Sequence, residues 1–221
     1  MKKSNKNNGY LASDAQSAVA ESYKTIRTNL QFLLARIDGC KVVTVTSPQA
    51  SDGKTTNAVN LAISFSQLGK RVLLIDADLR RPSVYRKLKI ENNDGLSGIL
   101  AGFCSAEKTV ISINPNFSVL PSGAVPPNPS ELLASKDFES LIEKLKDSYD
   151  YILIDTAPIG VISDALSVAR NSAGVLLVIK EKVTTYQDFE KVSDSLKLAQ
   201  IPLLGVILNG TTTDKYYYKK L

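Results

Sequence analysis

The feature that most constrains the fold is a junction: an apolar run, 42–45 (VVTV), then SPQASDGKTT at 47–56, then apolar positions at helical spacing, Ala58, Leu61, Ala62, Phe65 and Leu68. A strand that turns through Gly-Lys-Thr-Thr into a helix presents consecutive backbone N–H groups and a helix N-terminus to an anion, and adds a lysine and a hydroxyl beside them. Gly53, Lys54 and Thr55 fill the places of tight turn, phosphate-binding ammonium and Mg²⁺-ligating hydroxyl. The spacing departs from the usual phosphate-loop pattern, because its first glycine would fall at Pro48. A plain glycine-containing strand-to-helix turn is the competing reading of this segment by itself.

Two further segments decide between them. RVLLIDAD at 71–78 and YDYILIDTAP at 149–158 are short apolar runs that each end in acid. Runs of this kind suit strands buried on both faces, and ligands in open α/β sheets gather beyond the carboxyl ends of such strands. Three strands ending near Ser47, Asp76 and Asp155 would bring Lys54, Asp76, Asp78 and Asp155 to one rim. Any single Asp also reads as a helix cap or loop residue. Together they match Mg²⁺, which takes one or two carboxylates with phosphates and water, with Thr55, Asp155 and one of the Asp76/Asp78 pair as ligands. Asp76 and Asp78, which flank Ala77, are expected to point differently and divide the roles of metal or water handling and substrate contact.

Strand and helix patterns alternate along the chain: helices at 13–37, 55–68, 83–88, 136–148, 164–171 and 186–199, strands at 41–46, 71–76, 117–120, 151–155, 174–180 and 203–208. This predicts an α/β fold of the P-loop NTPase kind, a mostly parallel sheet with helices on both faces. Ser13 and Gln16 form a candidate capping box for the first helix, and 92–130 reads as mostly irregular. We divide the chain into an N-terminal segment and helix at 1–38, the nucleotide domain at 39–209, and a polar tail at 210–221 carrying Tyr216, Tyr217 and Tyr218 among lysines. No apolar run approaches the ~18 residues of a membrane span. The chain has no histidine and only Cys40 and Cys104, which disfavours imidazole catalysis, zinc sites and a disulfide framework. Its net charge of +5 is spread along the sequence, so no nucleic-acid role is expected. A nucleotide site on the body and accessible phenols on a tail make an enzyme with its own candidate substrate.

TVTSPQASDGKTT, VLLIDADLRRP, LPSGAVPPNPSELL, YDYILIDTAP and the terminal tyrosines together resemble the bacterial tyrosine kinases of capsular and exopolysaccharide synthesis, from about Glu21 to the C-terminus. The resemblance implies Walker A at 47–56, Walker A′ at 72–78 and Walker B at 152–155. It implies ATP and Mg²⁺ as cofactors, with Ser51, Asp52, Gly53, Lys54, Thr55, Thr56 and Asn209 around the nucleotide and Thr55, Asp76 and Asp155 serving the metal. Lys54, Asp76 and Asp78 would be the catalytic residues, Asp76 taking the phenol proton, and Tyr216, Tyr217 and Tyr218 the phosphoacceptors. Family members without a transmembrane segment work in the cytoplasm, drawn to the inner membrane face by an adaptor of the polysaccharide co-polymerase type, and act on other protein tyrosines too. The family's ring-forming E-x-x-R-x-x-R pattern reads here as Glu21, Lys24 and Arg27, with Lys losing the bidentate fork of Arg. Ser51 stands where many members have Gly, and would be strained if the loop requires positive φ there. The alternative is a partner-regulated ATPase of the septum-site or chromosome-partition type, a nucleotide-switched module; its signature Lys, five residues before the P-loop Lys, is Gln49 here.

Overall fold

The computed structural model describes residues 18–211. Its strands are β1 (Lys41–Thr46), β2 (Val72–Asp76), β3 (Ile111–Asn114), β4 (Phe117–Leu120), β5 (Tyr151–Asp155), β6 (Val175–Lys180) and β7 (Leu203–Asn209). They form a seven-stranded sheet in the order β3-β4-β2-β5-β1-β6-β7, parallel throughout except for the antiparallel β3–β4 pair. The helices are α1 (Ala18–Leu33), α2 (Lys54–Ser66), α3 (Val84–Leu88), α4 (Leu96–Leu100), α5 (Ala106–Thr109), α6 (Pro129–Leu133), α7 (Lys136–Lys146), α8 (Asp164–Ala169) and α9 (Tyr186–Leu198).

The central strands β1, β2 and β5 are covered on both faces, and apart from Lys41, Thr44, Thr46 and the closing acids Asp76 and Asp155 they are apolar on both. Val43, Val45, Val72, Leu74, Tyr151 and Leu153 pack with residues of α1 and α2. Their alternates, Val42, Leu73, Ile75, Ile152 and Ile154, pack with α4 and α7. Phe65 of α2 stacks on Tyr151 with ring centroids 4.0 Å apart. Side chains of this size, once fully buried, each contribute about 1.5–3 kcal/mol, so α2 is fixed on β1 and β5 by its own buried face. On the far side Val175 and Leu177 pack with α8 and α9. The start of α9 is set by a capping box between Thr185 and Asp188, and that of α7 by the Ser135 hydroxyl accepting from the Phe138 N–H.

The strand–helix alternation read from the sequence holds, with two differences. The first helix ends at Leu33, ahead of a turn and Gly39, and its candidate cap at Ser13 and Gln16 lies outside the described residues. The stretch 92–130 is more ordered than expected, containing α4, α5, α6 and the edge strand β3. Helices of four or five residues complete too few turns to show periodicity, and β3 (ISIN) is largely exposed and half polar.

The loop after β4 is sealed onto α4. A Cβ on Gly95 would collide with the backbone nitrogen of Gly123 and the carbonyl carbon of Ser122. Because that obstacle is backbone, Gly95→Ala should lower stability by about 3 kcal/mol, the upper end of overpacking costs, read as a fall in melting temperature. A melting temperature unchanged by the substitution would contradict this close approach.

Candidate functional site

Parallel register makes the site. Val45 and Asp76 both pair with Asp155 across neighbouring strands, so β1, β5 and β2 end level with one another. The loop leaving β1 turns back at Ser51 (φ 68) and Gly53 (φ 102) and enters α2 at Lys54. No side chain caps α2 at Gly53 and no acid sits in its first turn, which leaves its first N–H groups to an anion. The loop is braced from three sides. Asp52 Oδ2 accepts from the Gln49 N–H at 2.9 Å, Gln49 Nε2 donates to Asp188 Oδ2 at 2.9 Å, and Asn209 Nδ2 donates to the Asp52 carbonyl at 2.8 Å. A Cβ on Gly53 would strike that same Asn209 amide, so both positive φ and close approach demand glycine there.

Lys54 Nζ pairs with Asp78 Oδ2 at 2.8 Å, both side chains almost fully buried. Burial works against the Lys54 charge, but Asp155 and Asp78 outweigh it, and its pKa is raised. Thr55 Oγ1 donates to Asp155 Oδ2 at 2.6 Å and accepts from Ser83 Oγ at 3.0 Å. Asp155 Oδ1 is buried and has no hydrogen-bond partner among the described residues. Burial pushes Asp155 up to about 6, against the opposing pull of Lys54. Burial, reinforced by Asp155, pushes Asp76 up to about 7.

Asp76 and Asp78 do diverge, though alternation along a strand is not the cause, since residues two apart on a strand share a face. β2 stops at Asp76, and the chain turns. Asp76 Oδ2 accepts from the N–H groups of Ser83 and Val84, each at 3.0 Å, and its Oδ1 from the Asp78 N–H at 3.3 Å. Asp76 therefore organises the entry to α3, while Asp78 reaches a cavity of about 670 Å³ lined also by Ser51, Gly53, Lys54, Thr55 and Thr56. The same cavity takes in Arg80, Arg81, Ser83 and Lys87, which sequence reasoning left without a role. The two arginines stand in plain view in VLLIDADLRRP, but nothing in the spacing tells that both line the cavity.

The α1 trio does not form one surface. Glu21 and Lys24 pair at 3.0 Å in solvent, whereas Arg27 Nη1 donates to the Ser64 carbonyl of α2 at 2.7 Å and to Ser64 Oγ at 3.1 Å. Tyr216, Tyr217 and Tyr218 lie outside the described residues.

Two consequences can be measured. The left-handed backbone at Ser51 carries a side chain at a cost of about 1 kcal/mol, partly offset by the chain entropy glycine loses on folding. Ser51→Gly should therefore leave the melting temperature equal or slightly raised; a clear fall would show that the loop depends on the Ser51 side chain. The raised pKa values of Asp76 and Asp155 mean that between roughly pH 4 and pH 7 the folded chain binds more protons than the unfolded one, so stability falls as pH rises through that window. In EDTA the melting temperature should be higher near pH 5 than above pH 7, and Asp155→Asn should flatten the slope. A melting temperature that climbs across this range contradicts the assignment.

A family model described as an AAA domain matches residues 40–201. The chain is 40% identical to the tyrosine-protein kinase YwqD of Bacillus subtilis, over 92% of this chain and 86% of that one. Its fold superposes on the kinase domain of the Escherichia coli tyrosine kinase ETK with a TM-score of 0.86 at 30% identity, covering 92% of this chain and 82% of that one. The septum-site-determining protein MinD of Pyrococcus horikoshii, solved with Mg-ADP, matches at a TM-score of 0.66 and 29% identity, over 79% and 72% of the two chains. With a P-loop NTPase sheet of this AAA-domain family and kinase relatives that match along nearly its whole length, the chain belongs to the bacterial tyrosine-kinase family.

Proposed function

We propose that this chain transfers the γ-phosphoryl group of ATP to tyrosine hydroxyls, Tyr216, Tyr217 and Tyr218 of its own tail among them, and thereby regulates capsular or exopolysaccharide synthesis and export. The observation that carries the reading is the convergence of Lys54, Thr55, Asp78 and Asp155, whose Oδ1 has no partner among the described residues, at the uncapped start of α2. An acyl or glycosyl transfer would call for other groups; phosphoryl transfer asks mainly for positioning and neutralised charge.

The donor set fits Mg²⁺. Asp155 Oδ1 is a buried oxygen without a hydrogen-bond partner among the described residues, and Thr55 Oγ1 adjoins the same carboxylate; Asp76 lies in register with Asp155 on the next strand, but its oxygens are taken up by backbone N–H groups, so it would act on the metal through its charge. Mg²⁺, when bound, neutralises charge on the β- and γ-phosphates. Gly53, Thr55 and Thr56 offer backbone N–H groups to the phosphates, while Ser51, Asp52 and Asn209 shape and brace the loop. Lys54, held by Asp78 in this form, turns to the β- and γ-phosphates and releases Asp78 Oδ2.

The tyrosine oxygen then bonds to the γ-phosphorus as the bond to the β,γ-bridging oxygen breaks and ADP leaves. We assign the phenol proton to Asp78 rather than Asp76, because both Asp76 oxygens already accept backbone N–H groups and Asp76 does not line the cavity. Ring assembly through Glu21 and Lys24, and a cytoplasmic location with recruitment to the inner membrane face by a polysaccharide co-polymerase-like adaptor, complete the proposal. Among the described residues no helix is long and apolar enough to cross a membrane.

The ATPase alternative shares the sheet but not the detail at position 49. Gln49 replaces the signature lysine, and its amide is tied within the same chain to Asp188.

Intact-mass and phosphotyrosine mapping after incubation with Mg-ATP, with and without the cytosolic segment of a candidate adaptor, tests the reading. Phosphate should appear on Tyr216 to Tyr218 and vanish in Lys54→Met. ATP turnover with no phosphotyrosine in either condition would instead identify a nucleotide switch.

A further inference from the structure

A large apolar side chain stands in solvent at the cavity. Val161 is 67% exposed, and it lines the cavity together with Pro158 and Ile162 of the same turn after β5. These groups differ in kind from the lysine, hydroxyls and carboxylate around Lys54, Thr55 and Asp78, which line it too. Apolar groups give a triphosphate nothing, because its oxygens need donors or a cation. The mechanism above leaves all three without a part.

The turn is held from behind. Ile159 belongs to the buried cluster with Ala165, Leu177 and Val192, and its N–H donates to the Ser47 carbonyl at 2.9 Å. Gly160 approaches the Pro48 carbonyl oxygen so closely that a Cβ there would collide with it. Thr46 Oγ1 donates to the Ala157 carbonyl at 2.9 Å, and the N–H groups of Val161 and Ile162 both donate to the Pro158 carbonyl at 3.1 Å. Residues 157–160 are therefore fastened to the start of the phosphate loop. With Ile159 turned into the core, Val161 and Ile162 are left at the cavity as a fixed apolar wall.

We propose that Pro158, Val161 and Ile162 seat the ring of the acceptor tyrosine and so determine the preference for phenols over the aliphatic hydroxyls of serine and threonine. The inference rests on the kinase reading above and adds to it the subsite that selects the acceptor. A phenol makes two opposite demands. Its hydroxyl has to meet Asp78 and the γ-phosphorus, while its ring gains by leaving water for apolar contact. One cavity offers both surfaces. In DKYYYKK at 214–220 the rings are the apolar groups, so they are what an apolar seat in the tail's path can hold. Serine or threonine brings a hydroxyl without a ring, forfeits the contact, and carries that hydroxyl directly on Cβ, close to its own backbone. A pocket that is filled by one side chain and left unfilled by another discriminates between them in this way.

The test uses the full-length chain with Tyr216→Ala, Tyr217→Ala and Tyr218→Ala, so that a synthetic peptide of residues 210–221 supplies the tail tyrosines, with the adaptor segment present and melting temperatures measured in parallel. Val161→Ser and Ile162→Ser should each raise the KM for the peptide about tenfold, the lower end of what a lost apolar contact in a specificity pocket costs, with kcat and the KM for ATP changed less than about threefold. Val161→Ile, which keeps the apolar surface, should keep the KM of the parent. The same peptide with phenylalanine at its tyrosine positions carries the ring without the hydroxyl; it should inhibit competitively against the tyrosine peptide, weaken in step on the serine variants, and far exceed the matching alanine peptide. Should Ile162→Ser fail to fold, the exposed Val161 decides. A folded Val161→Ser with an unchanged peptide KM, or with a raised KM for ATP in its place, overturns the inference and leaves the kinase reading standing, as does a phenylalanine peptide no better than the alanine one. If neither the peptide nor the unaltered chain acquires phosphotyrosine, both fall.

Discussion

One ammonium faces three buried carboxylates. Lys54 sits among Asp76, Asp78 and Asp155, and it touches Asp78 directly. Left ionised and dry, such a group would be strongly unfavourable. The chain relieves it by holding Asp76 and Asp155 toward their protonated forms and by feeding backbone N–H groups to Asp76. The relief is incomplete at Asp155 Oδ1. A site strained in this sense gains most when a cation and phosphates arrive together, so binding affinity and the cost of the empty site come from one arrangement of charge. Everything else in the fold serves to keep these four side chains at one depth: β1, β5 and β2 must end in register, and α2 must be fixed firmly enough that Lys54 and Thr55 cannot drift.

How much of this the sequence discloses depends on whether a residue acts where the chain puts it or through a neighbour distant in sequence. The buried strands, Gly53, Lys54, Thr55 and the acids closing β2 and β5 are legible because each is tied to a local pattern: an apolar run, a turn, a helix start. The strain at Ser51 was legible as a condition, and the structure meets it with φ 68. Asp76 and Asp78 could be named as a pair but not ranked, because their difference arises from where β2 stops and which N–H groups α3 supplies. Ser130, Asp164 and Arg80 were invisible as a unit, since they are far apart in sequence and meet only when α6 and α8 pack.

The same contrast applies at Arg27. Read along α1, Glu21, Lys24 and Arg27 form one charged stripe, and helical spacing permits that. In the fold, α1 lies on α2, and Arg27 is drawn inward to satisfy the Ser64 carbonyl. Burial lowers its pKa without removing its charge at neutral pH. Part of what resembles an assembly motif is therefore occupied in fastening the first helix to the one that carries the phosphate loop. Tyr23 adds to that seam through its hydroxyl on Asn57 Oδ1, at 2.9 Å. Whatever engages the exposed part of α1 pulls on a helix joined directly to α2, one turn away from Lys54.

The braces on the phosphate loop have a similar logic. Gln49, Asp52 and Asn209 hold the loop from α9, from within and from the end of β7, while Asn92 and Gly95 hold the loop that bears Ser130. Hydrogen bonds of this kind each contribute about 1 kcal/mol net to stability, and here they also fix the position of two loops. Phosphoryl transfer gains from donors already in place when charge develops, because nothing then has to reorganise. Lys54 at the start of α2 and Arg80 in the turn after β2 both line the cavity. Asp78 and Asp164 hold those cations, each at 2.8 Å. The buried Lys54–Asp78 pair ties α2 to the turn after β2, whereas the Arg80–Asp164 pair, reinforced by Ser130, ties that turn to both α6 and α8.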